Sequence, residues 1–491
     1  MKNKLMKAAA LLAAMSMTVG LTACGNSGKQ ESGAADNVST AVSSEVQKGS
    51  EETTTEAEEP VEMTTVQVWS NYMAMKETVE RVVENFNETI GVEKGIYIEL
   101  TMQESSAYNQ ALALAFETNS APDIFIGMSK ERVESGYLLP ISELPGLEEI
   151  IERRRPYMAE NNHYYVKDGE EVIYNLPAGV SIRGLVYNKD MFREAGLVDE
   201  NGEPTPPVTW EEYREYAKIL TNKDENKYGV IFPMAWSGFF ASDVSDVCAQ
   251  DGGHRGYDYT TGLYDYSVWE PAMETVLGII EDGSCMPGSE TLDNDTARSL
   301  FSEGIIGMKM SYSFDVSVYN NQFPAKCDWG VAPLPVADED NMYYQRMTVS
   351  AGYCVSAESK VDKEKLATVV AYLGGDEVLK EYYLAGASLP CDASIVADCD
   401  TSNLPKGWAD YAALTQVSKI YPTMPSTSFT PEMPIAATEN FVNKVIPGEM
   451  TIAECIKNEE QRMNEGRAYY VELNPDYNPA QHIIKDFDAK R

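Results

Sequence analysis

Hydrophobic and polar positions alternate over "TTVQVWSN", which predicts a strand at residues 64–69. The next stretch, "MKETVERVVENFNETIG", switches to helical spacing. Val79, Val82, Val83, Phe86 and Ile90 share one face, and Gly91 supplies a stop. The cycle then repeats, with "GIYIELTM" reading as a strand, "YNQALALAFETNS" as a helix and "APDIFIGM" as a strand opened by Pro122. Such alternation builds a parallel sheet with helices on its faces, joined by right-handed crossovers: an α/β fold. Further on, Thr209 and Glu212 predict a capping box, followed by Trp210, Tyr213, Ala217 and Leu220 on one helical face. "KEKLATVVAYLGGDEVLKEYYL" predicts one long amphipathic helix. "KGWADYAALTQVSKIYP" and "ECIKNEEQRMNEG" predict further helices. No internal repeat of solenoid period is present.

Ahead of these elements the pattern differs. Met1–Lys7 holds Lys2, Lys4 and Lys7 and no acid, and Ala8–Ala23 carries no charge. This is the arrangement of a secretory signal, and the apolar run is short for a membrane span. From Gly25 to about Glu62, Ser, Thr, Gly, Ala and Glu dominate and no aromatic appears. Such a segment buries too little apolar surface to offset its ordering entropy, and like charges extend it. It reads as an acidic tether over residues 24–62, or equally as a disordered N-terminus with no spacing role. Leu21-Thr22-Ala23-Cys24-Gly25 resembles the lipobox of bacterial lipoproteins. That resemblance implies removal of a signal peptide, residues 1–23, and acylation of Cys24 with palmitate-like chains. Two or more chains, at about 0.8 kcal/mol per buried CH₂, hold a protein stably at a membrane.

Composition narrows the function classes. The 491 residues include 39 basic and 77 acidic side chains, a formal charge of −38. This balance argues against nucleic acid and against docking of the protein surface on anionic lipid. Apart from Cys24 there are seven cysteines, Cys248, Cys285, Cys327, Cys354, Cys391, Cys399 and Cys455. None forms C-x-x-C, and with only three histidines no structural metal is expected. Cys391 and Cys399 are near enough in sequence to pair, though nothing requires it. Nucleophile-elbow, P-loop and zincin motifs are absent, and no cofactor is expected.

Several ordered blocks now acquire meaning together. These are "VWSN", "APDIF", "LPAGVSIRGLVYNKDMFREAGL", "PPVTWEEYREYAKILT", "FSEGIIGMKMSYSF", "WGVAPLP" and "SAGYCVSAES", covering roughly residues 64–390. In this order they resemble the extracellular solute-binding proteins of ABC importers, in the branch that includes maltose-binding protein. The resemblance implies two α/β lobes joined by crossing segments, with a ligand in the cleft between them. It puts lobe 1 at 63–177 and 346–388, and lobe 2 at 180–340 and 390–491. Crossings are expected near Ala178–Gly184, Pro335–Thr348 and Leu389. Hinge closure over a ligand would be the state that the importer reads.

In parallel sheets ligands sit outside the carboxyl ends of the strands, which points to Ser70, Asn71 and Tyr72 and to the loop of Lys130. The first three read equally as a helix cap and surface loop, and Lys130 reads first as a solvated lysine. Ser181 and Arg183 fall in the first implied crossing; Arg183 reads equally as a hinge ion pair. Trp236 matches the aromatic-bearing loop of the family's second lobe. Tyr312 and Phe314 stand where relatives carry a stacking tryptophan. Tyr353 lies past the second crossing, with a core strand as the equal reading. Tyr257 lies in a glycine-rich loop of lobe 2. The expectation is thus a monomeric, lipid-anchored receptor on the outer face of the bacterial cytoplasmic membrane. It would capture a sugar or oligosaccharide for an ABC permease without altering it. A polyamine or other non-sugar solute is the alternative within this class. A surface glycoside hydrolase, needing only two carboxylates, and an adhesin are the alternatives outside it.

Overall fold

The computed structural model describes residues 62–491 except 160, 161 and 168. The expected signal peptide, Cys24 and nearly all of the expected tether lie outside the described residues. The first strand runs Thr64–Ser70, and Val66 and Val68 alternate inward as the pattern requires. It pairs in parallel with Ile96–Met102 on one side and Ile124–Ile126 on the other. Tyr353–Ser356 and Leu138–Leu139 extend this five-stranded sheet in antiparallel fashion. Helices Lys76–Glu88 and Ser105–Glu117 cross over between its strands, and Val79, Val82, Val83 and Phe86 are buried against it.

Two helix boundaries differ from the sequence expectation. The first helix breaks at Thr89, and a short helix, Ile90–Lys94, follows with Gly91 inside it. Gly91 is there for close approach, since a Cβ would stand 2.5 Å from the Ile96 carbonyl oxygen. Gly95, at φ 65°, makes the left-handed stop instead. The expected long helix over 363–384 is two helices, Lys363–Leu373 and Asp376–Leu384, broken at Gly374 and Gly375. A Cβ on Gly374 would meet the Leu176 side chain at 2.8 Å, so the bend brings the backbone close to a neighbour.

The second sheet is built on the long strand Pro177–Asn188. One edge of that strand pairs antiparallel with Ile306–Tyr312, beyond which lies Tyr228–Val230. The other edge pairs first with Gln345–Ala351 and then with Trp329–Ala332. Ser418–Ile420 pairs in parallel with residues 345–347, so part of "TQVSKIYP" is a strand where helix was expected. Side chains of the long strand alternate between two cores. Leu185 and Tyr187 enter one, and Val180, Ile182 and Val186 enter the other. Thr209 caps Trp210–Leu220 with a complete capping box, and Thr451 does the same for Ile452–Leu473. All seven described cysteines are free thiols, Cys391 and Cys399 included. No described helix is long and apolar enough to cross a membrane.

Three segments run side by side where the sheets meet. Residues 177–182 pair with 347–351, and the Val180 amide donates to the Leu389 carbonyl at 2.7 Å. Gly179 permits this contact, because a Cβ would lie 2.2 Å from Ser388 Oγ.

Candidate functional site

A cavity of about 620 Å³ lies over these segments, with one wall from each sheet. Its floor is Ala178, Val180, Ser181, Ser350, Ala387 and Ser388. The first sheet contributes Asn71, Tyr72, Met73 and Met75 from the turn after its first strand, and Glu104 from the turn after its second. The second sheet's side contributes Trp236, Asp293, Asn294, Asp295, Arg298, Ser313, Phe314 and Gln322.

The first wall is held by uncharged contacts. Ser70 is fully buried, and its hydroxyl accepts the Tyr72 amide at 3.3 Å, shaping the turn that presents Asn71 and Tyr72. The Tyr72 hydroxyl donates to the Ala351 carbonyl, which ties this wall to the crossing strand. Its ring meets Tyr353 edge-on at 6.1 Å. Burial raises the hydroxyl pKa values of both tyrosines, Tyr353 to about 12, so both remain protonated donors.

The opposite wall is aromatic and charged. Phe314 faces the cavity and stacks on Tyr312 at 4.9 Å with an 11° tilt, and Trp236 meets Tyr312 edge-on at 6.5 Å. Gly238 leaves room for the indole, since a Cβ there would stand 2.3 Å from the Trp236 ring. Arg298 is gripped by Asp295 at 2.7 Å and by fully buried Asp315. Burial alone would lower the guanidinium's pKa, but the two carboxylates raise it above its ordinary value. Asp293 caps the helix Asn294–Ser302 through the Thr296 amide at 2.7 Å, which holds its carboxyl below the usual range. Ring faces beside amide, carboxylate and guanidinium groups suit a polar ligand that also has apolar surface, such as a pyranose.

Of the residues singled out from sequence, Asn71, Tyr72, Ser181, Trp236 and Phe314 line this cavity. Ser70, Tyr312 and Tyr353 stand directly behind lining residues. Arg183 is buried and paired with Asp246 at 2.7 Å, one layer behind the wall. Lys130 and Tyr257 are placed elsewhere. Lys130 donates to the Tyr470 hydroxyl at 3.1 Å, and Tyr257 packs in a core of Tyr259 and Tyr264. Lys130 begins the helix Lys130–Glu134 and Tyr257 lies in the short strand Tyr257–Asp258, and neither lines the cavity. Glu104, Asn294, Arg298, Ser350 and Ser388 were not singled out. The capping pattern of "LDNDTARSLF" marks a helix start, but nothing local shows that this start faces the cavity.

The architecture has solved counterparts. The GacH receptor of Streptomyces glaucescens superposes with a TM-score of 0.64 at 18% identity, covering 85% of this chain and 100% of that one. The maltose-maltodextrin binding protein of Alicyclobacillus acidocaldarius gives 0.59 at 19% identity, covering 82% and 100%. These similarities establish the two-lobe fold. In sequence, the maltotriose-binding protein of Pyrococcus abyssi is 22% identical over 322 residues, 63% of each chain. The matched stretches span about three fifths of the length of such curated relatives. The family described as bacterial extracellular solute-binding protein matches residues 73–380, well over half of the sequence. On its fold and on that match, this chain belongs to the bacterial extracellular solute-binding proteins.

Proposed function

We propose that this protein is a lipid-anchored receptor outside the cell that captures a sugar or oligosaccharide and delivers it to an ABC permease. The carrying observation is the cavity over the crossing strands, where the Trp236 and Phe314 rings stand opposite Tyr72 and Asn71. Lobe 1 is taken as 63–177 with 346–388, and lobe 2 as 180–340 with 390–491. Closure of one on the other then sequesters the solute. Capture needs no covalent step, so the reading is of a binding protein and not an enzyme, acting as a monomer. Asn71, Tyr72, Ser181, Trp236 and Phe314 are the proposed contacts, and Ser70, Tyr312 and Tyr353 position them. Cys24 is the proposed acylation site.

The exposed carboxylates of Glu104, Asp293 and Asp295 at the cavity favour one second reading, a cationic solute such as a polyamine. A thermal-shift screen over neutral oligosaccharides, polyamines and peptides decides between them, because a ligand that binds only the native state raises its melting temperature. Stabilisation by oligosaccharides that are recovered intact supports the proposal. Stabilisation by polyamines or peptides alone overturns it, and cleavage of the sugar indicates a hydrolase. Loss of palmitate labelling in Cys24→Ala checks the anchor.

A further inference from the structure

Behind the Tyr312 ring, three buried or half-buried arginines share one carboxylate. Asp246 receives Arg183 at 2.7 Å, Arg346 at 2.9 Å, and Arg255 on its other oxygen. Among the described residues, no other carboxylate forms an ion pair with any of the three. The cluster therefore carries two positive charges in excess. Buried charge is ordinarily paired, so such an excess asks for a partner. Burial and the two neighbouring guanidiniums lower the Arg346 pKa to about 10 despite Asp246, as crowding of like charges requires. Arg183 is 5% exposed, and its Nε has no hydrogen-bond partner. The Arg255 Nε is also unpartnered, and one of its terminal nitrogens rests only on the Met424 sulfur at 3.7 Å.

The cluster adjoins the cleft along its floor strands, one layer behind the residues that line the cavity. Ser181 lies on the cavity floor, and Arg183, two residues on, sits on the same sheet face about 7 Å away. Thr348 is paired with Ser181, and Arg346 donates to the Thr348 hydroxyl at 2.8 Å. Arg346 is also the register partner of Lys419, so cations follow one another across neighbouring strands. The Arg183 guanidinium lies 4.3 Å from the Tyr312 ring centre, and that ring contacts both Trp236 and Phe314 of the wall. The side chains of Arg255 and Arg346 keep 25% and 22% exposure, so part of the positive face reaches solvent. A chain of net charge −38 repels anions in general, which makes this local reversal a selective feature.

We infer that the cleft takes a solute carrying an oxyanion, a carboxylate or a phosphate on a saccharide, seated on Arg346 and Arg255. This rests on the sugar-cleft reading above. Planar guanidinium forks match both groups. Arg183 positions the pair through Asp246.

The test measures binding by calorimetry to glucose- and galactose-based tri- and tetrasaccharides. Each is compared with its C6-carboxylate and its C6-phosphate form, and the two arms separate the anion's source. At least tenfold tighter binding of one anionic form is expected, shrinking with added salt. In Arg346→Met the preference should fall to less than threefold while neutral binding stays. That variant should fold, because Asp246 keeps two arginines; Arg255→Met serves as an independent second variant. Equal or tighter binding of neutral saccharides overturns the anion inference and leaves the sugar cleft standing. No binding of any saccharide overturns both. Retention of the full preference in both variants also overturns the assignment to these arginines.

Discussion

Two arginine sites flank the same pair of stacked rings and differ in charge balance. At the Phe314 end, one guanidinium, Arg298, has two carboxylates, Asp295 and Asp315. At the Tyr312 end, three guanidiniums have one, Asp246. The charge of the first site is fully compensated by the protein itself, although the Arg298 Nε lacks a hydrogen-bond partner. Asp315 even accepts Ser311 Oγ at 2.5 Å and the Tyr312 amide at 3.3 Å, so its charge serves to hold the strand end and the ring. Both sites leave a guanidinium Nε unpartnered, so what sets the second apart is its excess of positive charge. A self-satisfied ion pair rigidifies a wall, whereas an unbalanced one leaves interaction energy for something else to use.

This contrast can be broken most forcefully at Asp246. Asp246→Asn removes the carboxylate shared by three arginines and should cost about 3–5 kcal/mol of folding stability. Asp315→Asn should cost less, because Arg298 retains Asp295. Denaturant melts of the two variants check the order; equal losses would mean that the charge excess at Asp246 has no energetic weight.

The next effect is a pH dependence. Burial raises the Asp243 carboxyl to about 6, although Lys309 and Arg183 act to lower it. The native state therefore holds a proton that the unfolded chain has released between about pH 4 and 6. Its contribution to stability is complete below pH 4 and is lost as pH rises through 6, by at most about 3 kcal/mol. Asp246 has the opposite sign. Burial would raise its carboxyl, but the arginines hold it well below the usual range, so its contribution is present above about pH 4 and disappears in strong acid. Unfolding curves of wild type and Asp243→Asn from pH 4 to 7 should diverge in slope, the variant lacking the fall. Parallel curves would remove Asp243 from the account.

Smaller effects separate wall from scaffold. Trp236→Ala should weaken capture of a stabilising saccharide by about 1 kcal/mol, roughly fivefold, and leave the melting temperature of the empty protein nearly unchanged. Collapse of the empty fold would make Trp236 a core residue. Asp295→Asn should change stability by less than about 1 kcal/mol, because that carboxylate is exposed and Asp315 still holds Arg298. A larger loss, measured in the same melts, would show the charge-compensated site to be as finely balanced as its counterpart.

Much of the fold is legible along the chain, for reasons of range. Alternation over Thr64–Ser70, the 3.6-residue spacing of Val79, Val82, Val83 and Phe86, and the Thr209–Glu212 box all act within a turn or two. The sequence pattern misleads where distant parts of the chain meet. The Leu176 side chain packs where the chain bends at Gly374, and strand 345–351 takes Ser418–Ile420 into a sheet. Cavity residues divide the same way. Asn71 and Tyr72 follow from a strand end, and Ser181, Trp236 and Phe314 from resemblance to a family.

The local sequence determined which segments become strands and helices, and hence that alternating units would stack into α/β lobes. Only the tertiary structure decided that Glu104, Arg298 and Ser388 would meet around one cavity while Lys130 and Tyr257 turned elsewhere. It also gathered Arg183, Asp246, Arg255 and Arg346 from three separate stretches of chain into one charge-unbalanced cluster. Periodicity records what neighbours in sequence can bury together. Which charges face one another across a cleft depends on strand register and chain crossing, and those are properties of the assembled sheets.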